Sequence, residues 1–167
     1  MKTKLYFIVI FFFVGIGIVQ AQIRGQIQYT NEIVKTNNVD GFDKIVSNEL
    51  TTAEPGSPEL PVLLKSYLIP VDADGVSINI KNVNKQKVEG QYNIYPAQPP
   101  IPTDAMKSIS FIEPNLEIYR SETPFPNKMA EIISDEFYLG YRIVTVRLYP
   151  FEYLPARKEL YACNMNF

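Results

Sequence analysis

Thirteen prolines, spread from Pro55 to Pro155, constrain this chain more than any other feature. Proline has no backbone N–H to give to a helix or a ladder, so it is confined to turns, strand ends and sheet edges. Here the prolines fall between the strongly β-forming runs: Val62–Ile69, Met129–Leu139 and Tyr141–Tyr149 contain none. In the last of these, Ile143 and Thr145 point one way and Val144, Val146 and Leu148 the other, the period of two that marks a half-buried strand. Val76, Ile78 and Ile80 alternate with polar residues in the same manner. Val88–Tyr95 is expected to pair with that strand across a turn near Asn84–Lys87. Pro150–Pro155 reads as a tight connector, and Leu160–Phe167 as a final strand. No segment beyond the N-terminus carries a helical period. These signals predict an all-β fold, an antiparallel β-sandwich preceded by a signal-peptide helix.

The helix is the N-terminal one. Lys2 and Lys4 form a positive start, Leu5 to Val19 is apolar except for two glycines, and Ala21-Gln22 offers a cleavage site with a small residue at −1. Fifteen apolar residues rise only about 22 Å as a helix, short of the roughly 30 Å of a bilayer's hydrocarbon core. Cleavage is therefore expected, with no stable membrane anchor afterwards. The sequence divides into a signal peptide (1–21), a polar lead-in (22–41) and a β-sandwich (42–167). The destination is outside the cytoplasm: periplasm, cell surface or medium.

Charge and the rarest residues exclude several function classes. Past the signal the chain holds 14 basic and 18 acidic residues, a net −4 with no basic run, so nucleic acid is not an expected partner. There is no histidine, which removes Ser-His-Asp and Cys-His catalysis and the usual zinc sites. No metal and no cofactor are expected. Cys163 is the single cysteine and cannot form an internal disulfide; it reads as a small hydrophobe of the last strand. Glu131, Asp135 and Glu136 read as a solvated strand edge or turn. Nothing here makes the chain an enzyme.

Pro96–Pro102 packs four prolines into seven residues, and so predicts a stiff, extended loop with polyproline character. Around it lie several short motifs. Residues 54–70, Glu-Pro-Gly-Ser-Pro-Glu-Leu-Pro-Val-Leu-Leu-Lys-Ser-Tyr-Leu-Ile-Pro, resemble the G-x-P-x-L-P segment in the N-terminal propeptides of gingipain-type cysteine peptidases. Ile94-Tyr95-Pro96-Ala97 is similar to the I-x-P element that follows. Phe125-Pro126, Gly140–Val144, Pro150–Pro155 and Leu160-Tyr161 resemble the closing series of that family in the same order.

The resemblance implies a non-catalytic prodomain that assists folding of a gingipain-type cysteine peptidase and holds it latent, in cis or in trans. It also implies a bacterium of the Bacteroidetes type. No peptidase domain with a Cys-His pair follows Phe167, so the chain is expected to be a truncated zymogen fragment or a stand-alone inhibitor. Latency in such propeptides works by occlusion, through a loop after the I-x-P element that presents a basic residue. The matching candidates are Gln98, Pro99, Pro100, Ile101, Pro102, Thr103, Asp104 and Lys107, with Arg120 and Lys128 as less well placed basic residues. A different class of reading is an exported carbohydrate- or protein-binding adhesion module, built on Tyr92, Tyr95, Tyr138, Tyr141, Tyr149 and Tyr153.

Overall fold

The computed structural model describes residues 22–28, 34–100 and 110–167. Among these described residues lie ten strands, one helical turn and one 3-10 turn. They are β1 (Gln26–Ile27), β2 (Thr36–Val39), β3 (Phe42–Ile45), β4 (Leu50–Thr51), β5 (Pro61–Ile69), β6 (Lys81–Lys87), α1 (Leu116–Tyr119), β7 (Ala130–Tyr138), β8 (Tyr141–Leu148), β9 (Phe151–Leu154), the 3-10 turn Pro155–Arg157, and β10 (Glu159–Asn166). Every strand pairing between them is antiparallel. The signal segment and its cleavage residue Ala21 lie outside the described residues, and Gln22 is exposed.

One sheet runs β4-β5-β8-β7. It ends in the β7–β8 hairpin, closed by Leu139 and Gly140, both at positive φ (48° and 82°). Two positive φ values give the tight turn that matches strand twist, and glycine adopts one at no cost. The alternation expected along β8 is present: Val144, Val146 and Leu148 are buried, while Ile143, Thr145 and Arg147 are only partly so. Pro61 opens β5, where no ladder N–H is demanded of it.

The second sheet is built on β10. β6 pairs along one edge of it, and β9 and β1 share the other edge at opposite ends. β10 changes its buried face midway. Leu160 and Ala162 enter one core with Ile45, Leu60, Val88, Ile94, Phe151 and Tyr153. Cys163 and Met165 enter the other, with Ile27, Val144, Val146 and Leu148 of the facing sheet. All four of these β10 side chains are at most 1% exposed. The strand is thus a wall common to two cores, and the sandwich lies between it and β5-β8-β7.

Three expectations are corrected. Val76, Ile78 and Ile80 do pack against the second core, but residues 75–80 are extended chain without a ladder. The strand begins at Lys81, spans the supposed turn at 84–87, and pairs with β10 rather than with Val88–Tyr95. Its lysines suit this edge position: Lys85 reaches across to Glu152 at 2.7 Å, and Lys87 to Glu159 at 2.5 Å. The supposed connector 150–155 contains β9, registered on Glu159–Ala162. The segment 22–41 contributes two strands. Gly25 and Phe167 exchange backbone hydrogen bonds beyond β1, and β2 forms a hairpin with β3 about Asp40-Gly41, at φ 51° and 83°.

Candidate functional site

The G-x-P-x-L-P residues form a platform. Leu60 is fully buried in the first core, and Pro58 forms a bridge with Pro96. Thr52 locks the segment: its hydroxyl donates to the Pro58 carbonyl at 2.6 Å and accepts from the Leu60 N–H at 2.9 Å. Buried Ser57 donates to the Glu54 carbonyl at 2.7 Å. Gly56 sits at φ 81°, in the left-handed region. Its N–H donates to the Ala97 carbonyl and its carbonyl accepts from the Asn115 N–H, both at 2.9 Å. A Cβ at this position would lie 3.1 Å from the Glu113 carbonyl oxygen. Glycine is required because two strands of chain pass against it.

Those two passing strands are the arms of the proline-rich loop. The first arm rises from the core: Ile94, Pro96 and Ala97 are buried, Gln98 and Pro99 half-buried, Pro100 exposed. The second arm returns through exposed residues 110–113 to half-buried Pro114 and the helical turn α1, which Asn115 caps by accepting from the Glu117 N–H. Two phenols, half-buried Tyr119 and fully buried Tyr153, hold the first arm from below. Tyr119 donates to the Ile94 carbonyl and Tyr153 to the Tyr92 carbonyl, each at 2.7 Å. Burial, with a smaller push from neighbouring groups, raises the Tyr119 phenol far above its ordinary range, and burial takes Tyr153 up to about 12. Both therefore remain donors at any physiological pH.

Two contacts join the arms directly. The Gln98 side-chain amide donates from Nε2 to the Pro96 carbonyl (2.9 Å) and the Ile112 carbonyl (3.0 Å), and its Oε1 accepts from the Ile112 N–H (2.8 Å). Beside it three rings meet: Phe42, Tyr95 and Phe111 have centroids 5.9 to 6.2 Å apart. Lys44 lies 4.9 Å from the Tyr95 centroid and pairs with Glu59 at 3.2 Å. Edge and tilted contacts of this kind add about 0.5–1.5 kcal/mol each beyond area burial.

Of the candidates read from the sequence, Gln98, Pro99 and Pro100 belong to the first arm. Ile101, Pro102, Thr103, Asp104 and Lys107 lie outside the described residues. Lys128 is committed elsewhere: its ammonium is 2.6 Å from Glu131. The same carboxylate accepts from Arg147 at 3.0 Å and from the Tyr149 hydroxyl. This cluster walls a groove of about 620 Å³ that also touches Thr51–Glu54 and Thr123–Asn127. Arg120 ends α1 and is exposed. Cys163 is fully buried, and burial foremost, then the Glu152 carboxylate, pushes its thiol up to about 11. Such a thiol is not a nucleophile. Among the described residues no group of acids and cysteine could hold a metal ion, and no helix is long and apolar enough to cross a membrane.

The tyrosines do not form one surface. Tyr149 and Tyr153 are buried and Tyr92 and Tyr95 half-buried, whereas Tyr138 and Tyr141 are exposed as a cross-strand pair beside the hairpin turn. Sequence reasoning found the loop and the Gly56 motif but not the Gln98 contacts. Nothing in the sequence distinguishes this glutamine from a solvated one, because its partners are backbone groups 2 and 14 residues away.

Comparison with known proteins places this geometry in context. The Propeptide_C25 family profile matches residues 23–164. Among solved structures, the chain resembles one described as structural insight into zymogenic latency of gingipain K from Porphyromonas gingivalis. The TM-score is 0.63 and the identity 21%, over 80% of this chain and 78% of that one. It also resembles a complex of Porphyromonas gingivalis RgpB pro- and mature domains, with TM-score 0.65 and 18% identity over 86% of this chain and 76% of that one. No curated protein matches.

Proposed function

This chain belongs to the Propeptide_C25 family, and on that premise we propose that it holds a gingipain-type cysteine peptidase latent by laying its 99–111 loop across the peptidase's cleft. The observation that carries the reading is the anchoring of both loop arms. One platform, Gly56, binds Ala97 and Asn115, and one side chain, Gln98, binds both arms above it. A loop whose ends are already fixed loses less entropy on docking, which favours binding. It also resists being drawn into a productive, fully extended pose for cleavage. The related structures concern zymogenic latency of gingipain K and a complex of RgpB pro- and mature domains, which fits a peptidase domain as partner.

Within this reading the domain itself is non-catalytic, Lys107 is the basic residue offered to a specificity pocket, and the protein acts after export, in the periplasm or at the cell surface. It serves its peptidase in cis before a processing cut, or in trans as a free inhibitor. The test is a titration of residues 22–167 into a gingipain-like peptidase of the same organism. Inhibition at or below micromolar concentration is expected, and Lys107→Ala should raise the inhibition constant at an unchanged melting temperature. Full peptidase activity at saturating prodomain would sink the proposal.

A further inference from the structure

We propose that Gln98 is a positioning residue: its side-chain amide, more than the loop's prolines, sets the separation and pitch of the two arms of the 99–111 loop. The significance of this for latency rests on the occlusion reading above, but the clamp itself stands on geometry. Prolines stiffen a segment locally; they do not fix where its far end lies. Closing a loop requires contacts between its ends, and here the side-chain hydrogen bonds among them all come from one planar amide. Three of the four hydrogen-bonding positions of the Gln98 amide are used, two donors and one acceptor, at 2.8 to 3.0 Å. The reverse amide orientation would set the NH2 against the Ile112 N–H and the oxygen against two carbonyls, so the network admits one orientation only. Ile112 is bound at both its N–H and its carbonyl, which fixes the direction of the returning chain as well as its place.

Below the clamp, Gly56 ties Ala97 to Asn115, and the ring contact between Tyr95 and Phe111 guards one side. These leave the arms tethered if the amide is lost, so removal should loosen the loop without unfolding the domain. No other side-chain hydrogen bond among the described residues joins residues 97–100 to 110–113.

Three forms of residues 22–167 test this: wild type, Gln98→Leu and Gln98→Glu. The first readout is hydrogen exchange at the Ile112 amide, measured by NMR and corrected for intrinsic rate. Gln98→Leu should cut its protection about tenfold or more, with the melting temperature within a few degrees of wild type. Gln98→Glu supplies a readout that side-chain volume alone would not move. As a carboxylate it presents oxygens to the Pro96 and Ile112 carbonyls and cannot donate; once protonated it matches glutamine in shape and regains one donor. Protection at Ile112 in this variant should rise on acidification from pH 7 to 4 relative to wild type, whose glutamine does not titrate. The second readout is the inhibition constant against a gingipain-like peptidase, which Gln98→Leu should raise about tenfold, or about 1.4 kcal/mol of binding.

Unchanged Ile112 protection in Gln98→Leu would overturn the clamp. Lost protection with undiminished inhibition would overturn the positioning role. If wild type itself fails to inhibit, the occlusion reading falls, and the clamp is still decided by exchange.

Discussion

Three glycines of this protein share nearly the same backbone conformation and differ in what surrounds them. Gly41, Gly56 and Gly140 have φ of 83°, 81° and 82°. An added Cβ meets nothing within 4 Å at Gly41 and Gly140, but at Gly56 it lies 3.1 Å from the Glu113 carbonyl oxygen and 3.5 Å from the Asn115 nitrogen. Alanine should therefore cost the left-handed strain alone at the two open sites, about 1 kcal/mol. At Gly56 the same strain is joined by a backbone contact that must yield. If the returning arm moves aside, the Asn115 N–H to Gly56 carbonyl bond (2.9 Å) is weakened or lost. A buried group left unmade costs about 1–3 kcal/mol, so Gly56→Ala should total about 2–4 kcal/mol. For a domain of this size each kcal/mol moves the melting temperature by about 3 °C. Thermal unfolding followed by circular dichroism should then show drops of about 3 °C for Gly41→Ala and Gly140→Ala and about 6–12 °C for Gly56→Ala. Equal drops at all three sites would mean that the arms do not bear on Gly56, and the platform account would be wrong.

Tyr153→Phe strips the donor from the carbonyl of half-buried Tyr92 and should cost about 1–3 kcal/mol in urea unfolding; a neutral effect would show that water replaces the phenol. The Cys163 thiol, pushed up to about 11 chiefly by burial, should resist a disulfide reagent at pH 8 in the native protein and react fully in denaturant. Burial raises the Glu131 pKa, but the hydrogen bonds from Lys128 and Tyr149 and the nearby charges outweigh it, leaving the group below its ordinary 4.5. A depressed native pKa means stability that is present above pH 4.5 and lost as pH falls through the native value, so Glu131→Gln should flatten the acid limb of the stability curve; an unaltered limb would show that the cluster contributes nothing.

Legibility in the sequence followed how local the determinants are. β8 announces itself because it buries Val144, Val146 and Leu148 alternately, and β5, β7 and β10 are eight- or nine-residue elements with enough apolar residues to read as strands. β6 is Lys-Asn-Val-Asn-Lys-Gln-Lys, mostly exposed, and is a strand only because β10 presents a free edge to it. The apolar alternation just before it marks burial without a ladder, which periodicity alone cannot separate from a strand. β9 is hidden between Pro150 and Pro155, with only four residues to show a pattern. The hairpin β2–β3 is masked by its Asn-rich surroundings, although Asp40-Gly41 is a strong turn signal. At the site, the prolines and Gly56 were visible as residue types with special backbone needs. Gln98 stands among the loop candidates in the sequence, but its clamping role does not show there, since one amide bound to distant peptide groups has no local signature.

The common wall formed by β10 has a consequence for the order of events in folding. A polypeptide leaving a ribosome or a translocation pore does so N-terminus first, and residues 159–166 follow every other strand described here. Until they arrive, Ile45, Leu60 and Ile94 have no Leu160 or Ala162 to close upon, and Val144 and Val146 no Cys163 or Met165. Both halves wait on one late segment, so neither can be finished early and the two should consolidate together. Contacts this remote in sequence also make closure slow. The nascent chain consequently stays threadable for most of its length and commits to its shape in one late step.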